Sequence, residues 1–239
     1  MRKLCPNCEE LLKPTVDPEV GQCSGCGWSG HYWRAAREPV LPATPPKMSY
    51  VSIDIETTGL DPATCQTLEI GAVVDDWKTP IDQLPRFRRA LLYQTVTGNP
   101  YAMALNAGLL KQIASPPQPC TDGEFCQPEE LGEQFAGWIK GNGLDPLSLQ
   151  AAGKNLASFD MQFLNRLPRF SEHVKFRHRI LDPAILYWWP LEDERLPDSK
   201  TCYERAGLDS KVAHTAVEDA LAVVRLVRQG IKRLEGMHR

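Results

Sequence analysis

Two carboxylates, Asp54 and Glu56, lie two residues apart within residues 50–62, whose sequence is YVSIDIETTGLDP. They alternate with valine and isoleucine residues, which is the period of a β-strand. Residues i and i+2 of a strand share a face, so both carboxylates point to the same side. Like charges held this close repel one another, and a divalent cation would compensate both. The spacing therefore predicts a strand that carries metal ligands; an edge strand whose acids face solvent is the alternative.

A third acid, Asp160, lies in the sequence GKNLASFDMQFL. A short apolar segment precedes it at residues 147–152, and residues 153–155 (Gly-Lys-Asn) predict a loop. Ser158 is a candidate N-cap, which would place Asp160 in the first helical turn, near the exposed amides and the positive end of the helix dipole. The sequence therefore predicts that the start of a helix brings a third acid to the same place as Asp54 and Glu56.

The sequence HTAVEDALAVVRLV contains His214 and Asp219. Five residues of a helix turn through about 500°, so the two side chains cannot share a helical face. His214 is predicted on the loop before the helix and Asp219 on the helix itself. There Asp219 falls in line with Ala216, Val223 and Leu226, which predicts an acid at the head of an apolar stripe, where it needs a partner. Taken alone, His214 also fits a surface loop histidine.

Together these residues resemble the DEDD exonuclease superfamily, in its histidine-bearing DEDDh branch, which includes proofreading exonuclease subunits, RNase T and oligoribonuclease. The resemblance depends on the order Asp-x-Glu, then Asp after Asn-x-x-x-Phe, then His-x-x-x-x-Asp. The matching segments, within residues 49–232, are DIETTGLDP, LEIGAVV, GKNLASFD, RILDP and HTAVEDA. The resemblance implies an α/β protein with an RNase H-like fold, a mixed five-stranded sheet flanked by helices.

The resemblance also implies stepwise hydrolysis from the 3′ end of single-stranded DNA or RNA, releasing nucleoside 5′-monophosphates with the help of two Mg²⁺ or Mn²⁺ ions. By the family's pattern, Asp54 would bridge both ions, and Glu56 and Asp219 would help to hold the catalytic ion. Asp160 would reach the second ion through water. His214 would take a proton from the attacking water near neutral pH, since an unperturbed histidine titrates at about 6.5.

Further positions match family residues that hold the terminal nucleotide. Thr57, Thr58 and Leu60 are such positions, with Leu60 as a wedge against a base, and Asn155 is a further candidate for substrate binding. Ordinary turn residues are the alternative interpretation of the first three. Asp182, in RILDP, falls at a commonly acidic family position, and we interpret it as a supporting or structural residue rather than a fifth ligand.

A basic group lies at residues 166–179, with Glu172 as its one acid. A single-stranded backbone could follow it towards the metals with salt-dependent affinity, and a solvated face is an equal alternative. The aromatic cluster at residues 187–189 is predicted to lie in the core rather than to stack on bases. The basic group comprises Arg166, Arg169, His173, Lys175, Arg177, His178 and Arg179.

Four cysteines near the start of the chain form two Cys-x-x-Cys pairs separated by fourteen residues, and they are Cys5, Cys8, Cys23 and Cys26. This spacing suits one tetrahedral Cys₄ zinc ion, and so short a segment would need the stability that the metal supplies. Two disulfides or a redox Cys-x-x-Cys motif are the alternatives. The segment resembles a zinc ribbon, which predicts one structural Zn²⁺ and a protein or nucleic-acid partner for the ribbon.

Proline spacing predicts the domain boundaries. Residues 34–47 contain four prolines and predict an extended linker between a zinc ribbon at residues 1–33 and an exonuclease domain at residues 48–239. The chain of 239 residues is 42% hydrophobic, enough for one good-sized core and a small accessory unit. Its net charge of −3 has no polycationic signature. No apolar run has signal-peptide or membrane-spanning length, so we expect a cytoplasmic protein that does not enter membranes.

Further strands are predicted at residues 66–75, 86–93, 147–152 and 179–182, and the short links between the early strands favour antiparallel pairing. Residues 114–128, which contain Cys120 and Cys126, are predicted to form a loop. Helices are predicted at residues 99–113, 129–140, 183–189, 199–206 and 216–234.

Two other functions compete with a nuclease. In the first, a catalytically silent exonuclease-like fold binds nucleic acid or protein and is recruited through its zinc ribbon; the complete acid set argues against it. In the second, the cysteines make a redox or metal-handling protein, which leaves the carboxylates unexplained. Homodimer formation, which many relatives show, stays open.

Overall fold

The computed structural model describes residues 13–14, 20–25, 29–31, 48–116, 124–208 and 215–237. These residues divide into two compact units. The larger unit comprises the described residues of 43–183 and 212–225, and the smaller comprises those of 1–42, 184–211 and 226–239. Among the described helices, none combines the length and the apolar character that crossing a membrane requires.

Two sheets organise the described residues. A small antiparallel sheet in the smaller unit has the order β1-β2-β3, and a five-stranded sheet in the larger unit has the order β7-β6-β5-β4-β8. In the larger sheet β4 pairs antiparallel with β5 and β5 with β6, whereas β4–β8 and β6–β7 are parallel. The strands are β1 (Lys13–Pro14), β2 (Val20–Gln22), β3 (Ser29–His31), β4 (Tyr50–Thr57), β5 (Thr67–Asp75), β6 (Arg86–Leu91), β7 (Phe125–Cys126) and β8 (Ala151–Ala152).

Helices flank this sheet, so the predicted mixed five-stranded α/β fold is confirmed. The predicted bounds of α6 match the structure: Asp198 caps its start by accepting the backbone N–H of Thr201, and Gly207 ends it in the left-handed conformation. The helices are α1 (Pro100–Leu105), α2 (Ala107–Ala114), α3 (Leu131–Gly141), α4 (Asp160–Leu164), α5 (Phe170–His173), α6 (Ser199–Ala206) and α7 (Ala216–Met237).

The fifth strand differs from the prediction. Residues 179–182 contribute an isolated bridge between Leu181 and Ala152, whereas the fifth strand, β7, lies in the segment predicted to be a loop. Two residues are too few to show a periodic pattern, so the strand depends on its parallel pairing with β6 and on burial of Cys126.

Helix predictions at two other places need correction. The helix predicted at residues 99–113 is interrupted at Asn106, which ends α1 and begins α2. The segment predicted as a helix at residues 183–189 is a short 3₁₀ turn, Pro183–Tyr187. Within it Tyr187 is buried as predicted, but Trp188 is 40% exposed, so the aromatic cluster is not wholly in the core.

Successive side chains of β4 point to opposite faces of the sheet, and each face packs against a different part of the larger unit. Val51, Ile53 and Ile55 pack into the main apolar core, together with Phe135 of α3 and other helical residues. The opposite face of β4 meets α7, since the Ser52 hydroxyl donates to the Ala220 carbonyl at 2.7 Å. Asp54 and Glu56 share this second face by the period of the strand. The fold thus turns both acids towards the first turns of α7.

The predicted zinc ribbon falls largely outside the described residues. Cys5, Cys8 and Cys26 lie outside them, as does the linker at residues 34–47. Cys23 is described: it directly follows β2 and is buried. The ribbon, its metal and its boundary therefore remain predictions.

Candidate metal centre

Three carboxylates converge where β4 meets the start of α7. Oxygen atoms of Asp54, Glu56 and Asp219 all lie within 4.8 Å of one another. Gly71 of β5 is the direct neighbour of Asp54 across the sheet, and a Cβ atom there would lie 2.1 Å from the backbone of Ala216. Only a glycine therefore allows α7 to begin this close to the sheet, and the first helical turn then carries Asp219 to the two acids of β4.

Asp160 lies beside β4, where its negative charge acts on Asp54. It is 4% exposed, and its carboxylate accepts the backbone N–H of Ile55 at 3.2 Å. It is the first residue of α4, so its predicted place in the first helical turn is confirmed. Ser158 is not the N-cap: its hydroxyl donates to the Asn155 carbonyl, and Phe159 precedes the helix without a side-chain cap.

Burial makes ionisation of these acids unfavourable. It raises the pKa of the Asp54 carboxyl well above its usual range, and the negative charges of Asp160 and Asp219 raise it further. Burial also raises the pKa of Asp160 to about 7, against the opposing effect of the backbone N–H groups of Asp160 and Ile55. A divalent cation would reverse both effects because it stabilises the ionised carboxylates. The donor set, all carboxylate oxygen, fits Mg²⁺ or Mn²⁺.

Lys154 is a residue of the site to which the sequence analysis assigned only a loop position. Its ammonium nitrogen lies 3.8 Å from Asp219 Oδ1, and its side chain is 22% exposed. The positive charge lowers the pKa of both Asp54 and Asp160, in opposition to burial. The signal available in the sequence was its position immediately before Asn155, in the loop that leads to Asp160.

Glu69 is the second residue that the sequence analysis overlooked. It lies directly across the sheet from Glu56 and is 1% exposed. Its carboxylate accepts the Arg88 Nε–H at 2.8 Å and the backbone N–H of Ala216 at 3.2 Å. Glu69 thereby joins the first residue of α7 to β5. The signal was a single acid inside the apolar strand sequence LEIGAVV, where a buried charge needs a partner.

The hydroxyl groups of the two predicted substrate-binding threonines form hydrogen bonds with backbone groups of the protein. The Thr57 hydroxyl donates to the Gly59 carbonyl at 2.8 Å. The Thr58 hydroxyl donates to the Thr97 carbonyl at 2.7 Å, accepts the backbone N–H of Gln66 and is fully buried. These contacts favour a role in shaping the turn for Thr58 in particular.

The other predicted binding residues are more accessible. Leu60 is 84% exposed at the tip of the same turn. Asn155 is exposed and adopts the left-handed conformation, and its backbone N–H donates to the Asp182 carboxylate at 3.1 Å. Asp182 thus fixes the loop before Asp160, in line with the supporting role assigned to it. His214 lies outside the described residues, just before Thr215 and α7.

Solved structures of exonuclease I share the fold of this chain. E. coli exonuclease I in complex with a dT13 oligonucleotide has a TM-score of 0.53 and 15% identity, over 80% of this chain and 43% of that one. The moderately thermophilic exonuclease I from Methylocaldum szegediense has a TM-score of 0.53 and 16% identity, over 78% of this chain and 41% of that one. This chain therefore spans about two fifths of the length of these structures. No protein-family model and no curated protein matches the sequence.

The similarity defines a class of fold: an α/β domain with the architecture found in exonuclease I. It also covers most of this chain. On that fold, the acid cluster lies at the end of β4, between the sheet and the beginning of α7.

Proposed function

We propose that this protein is a metal-dependent 3′–5′ exonuclease of the DEDDh type that hydrolyses single-stranded DNA or RNA to nucleoside 5′-monophosphates. The observation that carries the proposal is the convergence of Asp54, Glu56 and Asp219, whose oxygen atoms lie within 4.8 Å of one another. The exonuclease I fold supports the proposal. An acid cluster alone does not define a nuclease, since function depends on the site, but this acid cluster lies on a fold that a known nuclease shares.

Asp54, Glu56, Asp160 and Asp219 would hold two divalent ions, and the family resemblance implies that both ions would share Asp54. The negative charges of Asp160 and Asp219 both act on the Asp54 carboxyl. Bound ions of this kind stabilise the charge that develops on the attacking and leaving oxygens of a phosphodiester. The chain's own contribution is to keep the four carboxylates together against their mutual repulsion. Glu69 and Gly71 do so by fixing the start of α7, and Ile55 does so by donating its N–H to Asp160.

His214 would accept the proton of the attacking water. In the sequence it precedes α7 by two residues and Asp219 by five, so the fixed start of α7 restricts where the imidazole can lie. Imidazole titrates near neutral pH and serves as a general base more often than any other side chain. The exposed Leu60 would pack against the terminal base, and Thr57, Thr58 and Asn155 would shape the pocket around the terminal nucleotide.

The N-terminal segment would carry a structural Zn²⁺ on Cys5, Cys8, Cys23 and Cys26. Cys23 is buried immediately after β2. As a separate ribbon at residues 1–33, joined by a linker to the domain at residues 48–239, the segment would recruit a protein or nucleic-acid partner. Removal of zinc by a chelator that leaves Mg²⁺ in place tests the domain boundary. The ribbon should lose its structure while the nuclease domain stays folded, and unfolding of both would contradict the boundary.

The function is tested with 5′-labelled single-stranded DNA and RNA of matched sequence, incubated with Mg²⁺, Mn²⁺ or EDTA and resolved on a gel. We expect a ladder that shortens from the 3′ end and disappears in EDTA, and the two rates identify the preferred sugar. The variant Asp54→Ala should be inactive, whereas Asp82→Ala, an exposed acid outside the cluster, should retain activity. Binding without cleavage by the wild-type protein would instead indicate a silent binding module.

A further inference from the structure

A second feature of the larger unit is an open groove of about 840 Å³ at the β8 edge of the five-stranded sheet. One wall comes from Met48, before β4, and from Leu147, before β8. The other wall comes from Phe176, Arg177, His178 and Arg179. We call this feature the edge groove. It lies at the end of the sheet where β4 begins, whereas the acid cluster lies where β4 ends.

The backbone of residues 175–181 builds the outer wall as an extended segment beside β8. The Leu149 N–H donates to the Lys175 carbonyl and the Arg177 N–H donates to the Leu149 carbonyl, both at 2.9 Å. Parallel bridges join Leu149 to Phe176 and Ala152 to Leu181. Between these two bridges the outer segment advances by five residues, from 176 to 181, whereas the inner segment advances by three, from 149 to 152. The two surplus residues are accommodated by a bend at His178, and the Arg179 carbonyl accepts a hydrogen bond from the Gln150 side chain at 2.6 Å.

The charges of the edge groove have one sign. Phe176 packs onto the main core, where its ring stacks on Phe170 at a centroid distance of 6.4 Å. Lys175 and Arg177, on either side of Phe176, are exposed, as is Arg179. Within the described part of the chain, no acidic residue lines the groove. The cations are therefore exposed on a segment that Phe176 anchors to the core.

Apolar side chains lie beside these cations. Met48 is 42% exposed and Leu147 is 54% exposed, and Phe176 is partly buried. Positive charge alternating with apolar or aromatic surface is the combination that binds single-stranded nucleic acid, since phosphates contact the cations and bases pack on the apolar groups. An acidic peptide would need the cations but would leave the exposed apolar surface without a partner.

The outer wall of the edge groove continues to the acid cluster. After Leu181 the chain reaches Asp182, whose carboxylate accepts the Asn155 N–H at 3.1 Å. The residue that precedes Asn155 in that loop, Lys154, has its ammonium nitrogen 3.8 Å from Asp219 Oδ1. Asp182 is the fifth residue after Arg177, which is at most about 18 Å of extended chain. A nucleic-acid strand whose 3′ end lies at the acids and that extends several nucleotides upstream is therefore long enough to reach the groove.

We propose that the edge groove binds the backbone of single-stranded nucleic acid upstream of the cleaved end, with phosphates on Arg177 and Arg179 and bases against Met48, Leu147 and Phe176. This rests on the proposed function, because it takes the acid cluster as the position of the 3′ end. The groove then accounts for part of the basic group at residues 166–179, and it predicts tighter binding of longer strands.

The test compares the double variant Arg177→Ala/Arg179→Ala with Lys78→Ala/Lys140→Ala, which loses the same charge from exposed positions outside the groove. Binding of fluorescein-labelled dT3 and dT20 is measured by anisotropy in EDTA, over a range of salt concentrations. For dT20, we expect the groove variant to bind about threefold to tenfold more weakly than the control variant, with a salt slope lower by about 1.4. Binding of dT3 should be the same for both.

Two outcomes would overturn the assignment. Either dT20 binds the groove variant as tightly as the control variant, or dT3 and dT20 weaken equally, which would place the effect at the acid cluster. A competition experiment provides a third such outcome. If polyglutamate displaces labelled dT20 from the protein as effectively as unlabelled dT20 does, the groove is a surface for acidic peptides. Circular dichroism and thermal melting establish that both variants are folded.

Turnover separates this proposal from the proposed function. With Mg²⁺, we expect the groove variant to raise KM for dT20 while kcat is retained, because the acid cluster is unchanged. If the wild-type protein binds dT20 through the groove but cleaves nothing, the exonuclease proposal fails and the groove stands. If the wild-type protein cleaves dT20 and the groove variant matches the control, only the groove proposal fails.

Discussion

Two regions of the larger unit bury carboxylates on the same face of the sheet, and their surroundings differ. Glu69 meets the Arg88 guanidinium and the Ala216 N–H within the fold. Asp54, one strand away, faces Asp160 and Asp219, and burial and these charges raise its pKa. A buried charge that the protein itself compensates stabilises the fold, whereas one that faces like charges indicates an external cation. The difference separates a structural acid from candidate metal ligands of the same chemical type.

The largest expected effect is at the acid cluster. Asp54→Asn should abolish hydrolysis and, in EDTA, should leave the free energy of unfolding unchanged or increase it, because it removes a charge from a repulsive group. Activity on 5′-labelled oligonucleotides and urea unfolding measure the two effects. A strongly destabilised Asp54→Asn protein would break the comparison, since Asp54 would then be a structural acid like Glu69.

A second large effect is expected at the general base. His214→Ala should lower kcat by about 10²- to 10⁴-fold with little change in the fold, because the proton of the attacking water loses its acceptor. His173→Ala, a histidine of α5 that does not line the edge groove, is the matched control for kcat. Single-turnover rates with saturating Mg²⁺ provide the measurement. Equal rates for the two variants would remove His214 from the mechanism.

For Glu69, whose charge is paired with Arg88, we expect the opposite effect on stability. Glu69→Gln should destabilise the protein by about 2 kcal/mol, since it removes the charge that faces Arg88 while that guanidinium stays partly buried. Because Glu69 also holds the start of α7, the variant should bind Mn²⁺ more weakly in calorimetric titration. Glu133→Gln, an exposed acid of α3, should change neither quantity. Unaltered stability in Glu69→Gln would contradict the distinction between the two regions.

In the metal-free protein, the raised pKa of Asp160 should make the free energy of unfolding depend on pH. Burial raises the pKa of Asp160 to about 7, above the value of about 3.9 expected in the unfolded chain. The folded state therefore holds a proton that the unfolded state has lost, and stability should fall as pH rises from about 4 to about 7. Urea unfolding in EDTA at pH 5 and pH 8 should show a fall of a few kcal/mol in the wild-type protein. The fall should be smaller in Asp160→Asn, and an equal fall in both would exclude Asp160 as its source.

The smallest effect on stability is expected for Asp193 of the smaller unit, whose carboxylate pairs with Arg205. Hydrogen bonds from Arg205 hold the pKa of Asp193 at about 2. A lowered pKa in the folded state stabilises the protein above the unfolded value of about 4, and this contribution is lost as pH falls towards 2. Asp193→Asn should therefore have a slightly lower Tm at pH 7 and the same Tm as wild type near pH 2. A difference that persists at pH 2 would assign the effect to packing.

Much of the fold could be predicted because its signals are local. The strand period of β4 correctly placed Asp54 and Glu56 on one face, and α6 had both its cap, Asp198, and its terminal Gly207 in the sequence. The stripe of α7 predicted the burial of Asp219 together with its apolar neighbours. In each case the deciding interactions lie within a few residues of one another along the chain, so the pattern of residue types was sufficient.

Only the tertiary structure decided how these elements meet. The parallel strand β7, the isolated bridge at Leu181 and the convergence of Asp219 on the acids of β4 depend on contacts between distant segments. The roles of Glu69 and Lys154 depend on the same contacts, because a charge at a buried position does not reveal its partner until the chain is folded. The sequence by itself determined which residues could bind a metal and which faces they occupy. Packing decided which charges meet within the fold, and it brought together Asp54, Glu56 and Asp219, whose carboxylate oxygens suit a divalent cation.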